Sequence, residues 1–205
     1  MSKEIIRWAR ELQALAQAGL AYPKDKYDVD RFIHIRDIAA EMMAAATDIE
    51  PEKIHTLYAD QLGYQTPKLE TRAAVFKDDK ILLVHEKIDG CWSLPGGWVE
   101  HRCSVAENAV KEVREEAGYA VTADRIFAVI DRNRRYPTPF IYDITKVFVL
   151  CTLIDGGFAD NIETSECGFF SRDELPPLSV ERTCPSDIDL CFDALAHPDA
   201  PVIFD

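Results

Sequence analysis

The chain has 205 residues, with a hydrophobic content of 47% and a charged content of 29%, enough apolar material for one large domain or a small one beside a medium one. Its 36 acidic residues outweigh 23 Lys and Arg, a formal charge of −13, and residues 151–205 hold only Arg172 and Arg182 as bases. That balance argues against a general nucleic-acid binder, which needs a basic footprint, and no apolar run approaches the ~18 residues of a spanning helix. The six cysteines form no C-x-x-C pair and the N-terminal MSKEIIRWARELQALAQ lacks a signal-peptide core, so reduced thiols in a cytoplasmic protein are expected.

In chain order, residues 1–65 read as a small all-helical domain. Ile5, Trp8, Ala9, Leu12, Leu15 and Ala16 recur at helical spacing, with Gly19 as the expected stop. A second helix is expected from Asp28 to Ala46, with Phe32, Ile35, Ile38, Ala39 and Met42 on one face, and a third from Pro51 to before Gly63. Three short helices bury little by themselves, so they should pack on the rest of the chain or on a second subunit. Residues 66–205 read as an α/β domain. Thr71–Phe76 and Lys80–His85 flank Asp78-Asp79 as a hairpin, and Arg125–Arg132, Ile144–Leu153 and Gly168–Phe170 are expected strands. A final helix is expected over Asp187–Leu195.

Between the hairpin and the later strands lies GGWVEHRCSVAENAVKEVREEAGY, residues 96–119. Ser104 and Glu107 form an S-x-x-E capping box. Ala106, Ala109, Val110, Val113 and Ala117 supply an apolar stripe, and Gly118 a natural stop. On that helix Glu112, Glu115 and Glu116 stand at i, i+3 and i+4, stacked on one face toward a cleft or solvent. Crowded carboxylates raise one another's pKa unless a cation sits among them, and oxygen donors suit Mg²⁺ or Mn²⁺. The Leu94-Pro95-Gly96-Gly97 turn lets backbone approach a ligand closely.

Turn and helix together resemble the Nudix box, G-x5-E-x7-R-E-U-x-E-E-x-G-U, with U a bulky apolar residue. Aligned on Gly97, the chain matches at Glu112, Val113, Glu115, Glu116, Gly118 and Tyr119. It departs at the first Glu, which is Cys103, and at the Arg, which is Lys111 and so loses the bidentate fork. The helical leader resembles that of bacterial Nudix enzymes acting on X-linked nucleoside diphosphates. The resemblance implies an α/β/α sandwich with a mixed sheet over 66–205, preceded by the helical domain, and a homodimer.

It also implies a Mg²⁺- or Mn²⁺-dependent pyrophosphohydrolase that cleaves a nucleoside diphosphate derivative, ADP-ribose or CDP-choline in type, with no membrane or nucleic-acid partner. Glu112, Glu115, Glu116 and the Gly96 carbonyl would hold the metal, with Glu115 and Glu116 also catalytic. Lys111 would orient the cluster or pair at i,i+4 with Glu115 or Glu107. A later acid, Glu166 first and Glu163 second, would bind metal or act as general base. Among Arg132, Arg134 and Arg135, Arg132 is the expected phosphate ligand, with Lys146 beside it. Two alternatives remain at this stage: a sensor of nucleotide sugars without turnover, and an exonuclease acting on RNA ends.

Overall fold

The computed structural model describes residues 2–138 and 140–205, and its internal contacts divide the chain into two compact units. One comprises Met1–Pro67 with Pro139–Asp143, and the other Lys68–Thr138 with Ile144–Asp205. Among the described residues no helix is long and apolar enough to cross a membrane.

The first unit is built on helices α1 (Ser2–Ala21), α2 (Lys26–Ala46) and α3 (Pro51–Ala59). Asp25 caps α2 by accepting from the backbone N–H groups of Tyr27 and Asp28, and Pro51 opens α3 where no N–H is needed. Ile6, Ala9, Ala39, Ala40, Met43, Ile54 and Tyr58 form the buried centre. Gly19 does not end α1, as its sequence context suggested. A Cβ there would run into the Phe32 ring, so this glycine lets α2 approach α1 closely. The buried stripe is also rotated from the expected one, because Trp8, Leu15 and Ile38 stay exposed.

The second unit contains strands β1 (Lys68–Lys77), β2 (Lys80–Glu86), β3 (Trp92–Ser93), β4 (Tyr119–Asp131), β5 (Ile144–Gly156), β6 (Thr164–Phe170) and β7 (Ile203–Phe204). Its helices are α4 (Val105–Glu112), which runs on into a π-type turn at Val113–Ala117, the short α5 (Arg132–Arg135), and α6 (Pro185–Ala196). The seven-stranded sheet runs β3-β2-β1-β5-β4-β7, with β6 also on β2. It is mixed: β1 and β5 are parallel, whereas β4 and β5, and β2 and β6, are antiparallel.

Alternate residues of a strand face opposite sides, and here they feed two cores. Ala74, Ile81, Leu83 and Phe148 pack with Ile188, Cys191 and Ala194 of α6. Ala73, Val75, Leu82, Val84, Val147 and Val149 pack with Ala109, Val113 and Ala117 of the glutamate helix. Helices thus cover both faces of the sheet, giving an α/β/α sandwich. Several strands are longer than their sequence signals. β4 begins at Tyr119, directly after Gly118 turns the chain with φ of 75°, because the helix ends against a strand with no intervening loop.

Candidate functional site

β1 pairs with β2 only around the hairpin turn, at Phe76–Ile81 and Lys77–Lys80. The earlier part of that edge is taken by the glycine turn. Thr71 donates to the Gly97 carbonyl, Ala73 to that of Pro95 and Val99 to that of Leu69, each at 2.9 Å. Gly96 has a φ of +149°, and a Cβ on it would strike the Thr71 carbonyl. The glycine is therefore demanded first by the backbone of β1, a stricter reason than close approach to a ligand. With the flanking carbonyls bound to β1, the Gly96 N–H donates 2.9 Å to Glu116 Oε2. At Gly97 a Cβ would sit 3.2 Å from Glu112 Oε2. Both carboxylates lie against the turn.

The helix that presents them is set by local sequence. The expected capping box is complete: Ser104 Oγ accepts from the Glu107 N–H at 3.2 Å, and Glu107 Oε2 accepts from the Ser104 N–H at 2.9 Å, a cap worth ~1 kcal/mol. Asn108, fully buried, donates to Thr71 Oγ1 at 2.8 Å and accepts from the Glu100 N–H at 3.2 Å. It ties the helix to β1 and to the loop before it.

The π-type turn over Val113–Ala117 breaks the even stack anticipated for an α-helix, and such turns occur often at functional sites. Glu112 and Glu116 are only 7% and 5% exposed, whereas the Glu115 side chain is 57% exposed. Two of the three glutamates are thus buried against the turn, and only one faces outward. Thr164 Oγ1 and Asn161 Nδ2 donate to the Glu116 carbonyl at 2.6 and 3.3 Å, satisfying an acceptor at the helix end and anchoring the loop that carries Glu163.

The charges are frustrated in a way that a cation would relieve. Burial pushes Glu116 up to about 8, with Glu86 and Glu112 adding to the rise, while Arg72 and the Gly96 N–H oppose it. Burial also raises Glu112, as do Glu115 and Glu163, against the pull of Lys111. The Lys111 ammonium lies 2.6 Å from Glu115 Oε2, 3.3 Å from Glu100 Oε1 and 3.7 Å from Glu112 Oε1. It stands where several carboxylates converge. Among the described residues no three metal-competent side chains are already closed around one point. The donor set still fits a hard divalent cation: it is all oxygen, and two of its carboxylates are buried at a cost that positive charge offsets.

Other residues singled out from sequence lie elsewhere. Arg132 is 1% exposed, with Nη1 donating to the Thr138 carbonyl at 2.9 Å and Nη2 to Glu181 Oε2 at 2.5 Å and the Glu181 carbonyl at 3.1 Å. Lys146 is 0% exposed and donates to Tyr136 Oη and the Arg182 carbonyl, with Glu70 at 3.3 Å and Asp187 at 3.9 Å. The cationic heads of both, expected from sequence at a phosphate, are engaged inside the protein. Burial lowers Lys146 to about 8. Arg134 and Arg135 pair with Asp131 and Asp205.

Glu166 lies exposed within β6, opposite His85, and Glu163, also exposed, adds to the rise at Glu112. Sequence reading passed over Glu100, Asn108 and the buried pair Arg72–Glu70, joined at 2.6 Å. Arg72 also donates to the Leu94 carbonyl at 2.8 Å, at the head of the glycine turn. Charges at i and i+2 of an apolar strand share a face, which was the available signal for that pair. All six cysteines are free thiols.

Residues 3–58 match the family described as a UDP-X-like, N-terminal oligomerisation domain, and residues 67–185 match the NUDIX domain. The chain belongs to the Nudix family of hydrolases. A Bacillus subtilis (strain 168) protein, YjhB, provisionally named as an ADP-ribose pyrophosphatase, is 44% identical over 208 residues, all of both chains. The crystal structure of an ADP-ribose pyrophosphatase from Streptococcus suis 89-1591 is 48% identical, with a TM-score of 0.64 over 68% of this chain and 100% of that one. That of a UDP-X diphosphatase is 31% identical, with a TM-score of 0.64 over 100% of this chain and 99% of that one.

The Glu116 shift makes a pH prediction for the metal-free protein. A carboxyl whose folded pKa is raised contributes stability that is complete below its usual 4.5 and is lost as pH rises through about 8. Within that window the loss is at most ~1.4 kcal/mol per pH unit. Glu116→Gln should therefore flatten the fall in melting temperature between pH 5 and pH 8 in scanning calorimetry. A variant whose profile parallels that of the parent would show that Glu116 ionises without cost.

Proposed function

We propose that the protein is a divalent-metal-dependent pyrophosphohydrolase. It cleaves a nucleoside diphosphate linked to X into a nucleoside monophosphate and phosphorylated X. The observation that carries this reading is the pair of buried carboxylates, Glu112 and Glu116, pressed against the Gly96–Gly97 turn with Glu115 beside them. Glu112, Glu115, Glu116 and the Gly96 carbonyl would hold Mg²⁺ or Mn²⁺, which when bound neutralises a diphosphate and lowers the pKa of a water.

The chain's own residues do the positioning. The Gly96 N–H holds Glu116 in place, and Arg72 keeps the turn and the carboxylate in one electrostatic unit. A later acid, Glu166 or Glu163, would take a proton from the attacking water, and the charge of Glu163 is felt at Glu112. The names of the relatives favour ADP-ribose as the substrate, with UDP-linked derivatives and CDP-choline as the nearest alternatives. Six free thiols suit a reducing compartment such as the cytoplasm.

The test is release of nucleoside monophosphate from ADP-ribose, UDP-sugars and CDP-choline with Mg²⁺, with a labelled RNA oligonucleotide in the same panel. Turnover of at least one diphosphate is expected, and chelation should abolish it. Glu115→Gln or Glu116→Gln should lower kcat by more than ~100-fold with the fold intact. Undiminished turnover in both variants, or shortening of the RNA alone, would overturn the assignment. The helical unit is proposed to join two copies, using Trp8 and Leu15, which α1 leaves exposed. Light scattering should then give twice 23.2 kDa, and a mass of one chain would exclude the dimer.

A further inference from the structure

Residues 177–183, the last part of the connection from β6 to α6, reach the glycine turn from a side that the glutamate helix does not. They first run beside β3, where Trp92 donates to the Pro177 carbonyl at 2.9 Å and Ser179 to that of Trp92 at 2.8 Å. The chain then folds back, and the Ser179 carbonyl accepts from the N–H groups of Arg182 and Thr183 at 2.8 and 2.7 Å. Thr183, fully buried, closes this turn. Its Oγ1 accepts from the Leu94 N–H at 3.0 Å.

Buried charge fixes the same segment from behind. The Glu181 carbonyl accepts from Arg132 Nη2 at 3.1 Å, and the Arg182 carbonyl accepts from Lys146 Nζ and, at 3.0 Å, from Tyr136 Oη. A buried cation without acceptors is costly, so two such donors hold these carbonyls firmly. On the outer side, Ser179 Oγ donates to Asp89 Oδ2 at 2.6 Å, and Arg182 Nε lies 3.5 Å from Glu86 Oε1. The Thr183 hydroxyl is thereby given one position.

Leu94 heads the glycine turn and is gripped at both ends of its backbone, the N–H by Thr183 and the carbonyl by Arg72. Pro95 follows, with a φ that its ring restricts, and then Gly96, whose N–H holds Glu116. The anchors from Thr71, Arg72 and Ala73 all belong to β1. Thr183 adds one that belongs neither to β1 nor to the glutamate helix. We infer that Thr183 is a positioning residue of the metal site: its hydroxyl fixes the Leu94 N–H, and through Leu94 the direction in which Gly96 meets Glu116. Thr183 touches neither metal nor substrate. The inference rests on the metal-site reading proposed above.

The experiment measures Mn²⁺ binding by electron paramagnetic resonance, without substrate, in the parent and in variants of the full chain. Thr183→Val keeps the shape and removes the acceptor, and Thr183→Ala removes both. Each should weaken Mn²⁺ binding about tenfold, as loss of a residue supporting metal ligands does. Thr183→Ser keeps the hydroxyl and should bind Mn²⁺ as the parent does. Ile188→Val, in the core beneath α6, should lower the melting temperature and leave Mn²⁺ binding unchanged. Parent-like binding by both Thr183→Val and Thr183→Ala, weak binding by Thr183→Ser, or an equal loss in Ile188→Val overturns the role of Thr183 and leaves the metal site standing. A parent that binds no Mn²⁺ removes the metal site itself, and this role with it.

Discussion

The hydrogen bond from the Gly96 N–H to the Glu116 carboxylate joins the two segments from which the site is made. On one side of it the glycine turn is fastened to the open edge of β1, through the carbonyls of Pro95 and Gly97. On the other side, the helix that carries Glu112 and Glu116 is fastened to the same strand by Asn108 and Thr71. β1 therefore references both halves, and the carboxylates meet the turn in one geometry. Only glycine suits position 96, because β1 fills the space that a side chain would need.

That arrangement leaves two acids in low dielectric with incomplete compensation. Arg72 opposes the rise at both acids and Lys111 that at Glu112, yet burial still raises both Glu112 and Glu116. A site that is costly to ionise by itself is stabilised by anything cationic that enters. On the proposed reading, the same asymmetry would favour a divalent ion, and a diphosphate after it. The second buried network, around Lys146, Tyr136, Asp187 and Glu70, lies on the far side of the Arg72–Glu70 pair. It ties Arg182 and the approach to α6 to the sheet, and so is read as structural support.

Much of the layout was legible because it is periodic or local. The hairpin around Asp78-Asp79, the capping box at Ser104 and the stop at Gly118 all depend on near neighbours, and each is found as read. What escaped depends on tertiary placement. Gly19 looks like a helix stop until Phe32 of another helix is placed over it. Sequence likewise cannot show that the heads of Arg132 and Lys146 are engaged by Glu181, Tyr136 and main-chain carbonyls. The π-type turn, which buries Glu116 and leaves Glu115 outside, has no signature in residue spacing. Strands of two residues, β3 and β7, are too short to carry a periodic signal.

The account is tested most directly by a crystal structure of the protein soaked in Mn²⁺, read by anomalous scattering. A peak is expected against the carboxylates of Glu112 and Glu116 beside the Gly96–Gly97 turn, with oxygen donors at ~2.0–2.2 Å. Lys111 should be drawn away from the point where the carboxylates now converge on it. A soaked crystal with no peak at the turn, and with Lys111 still paired to Glu115, would contradict the claim that these glutamates form a metal site.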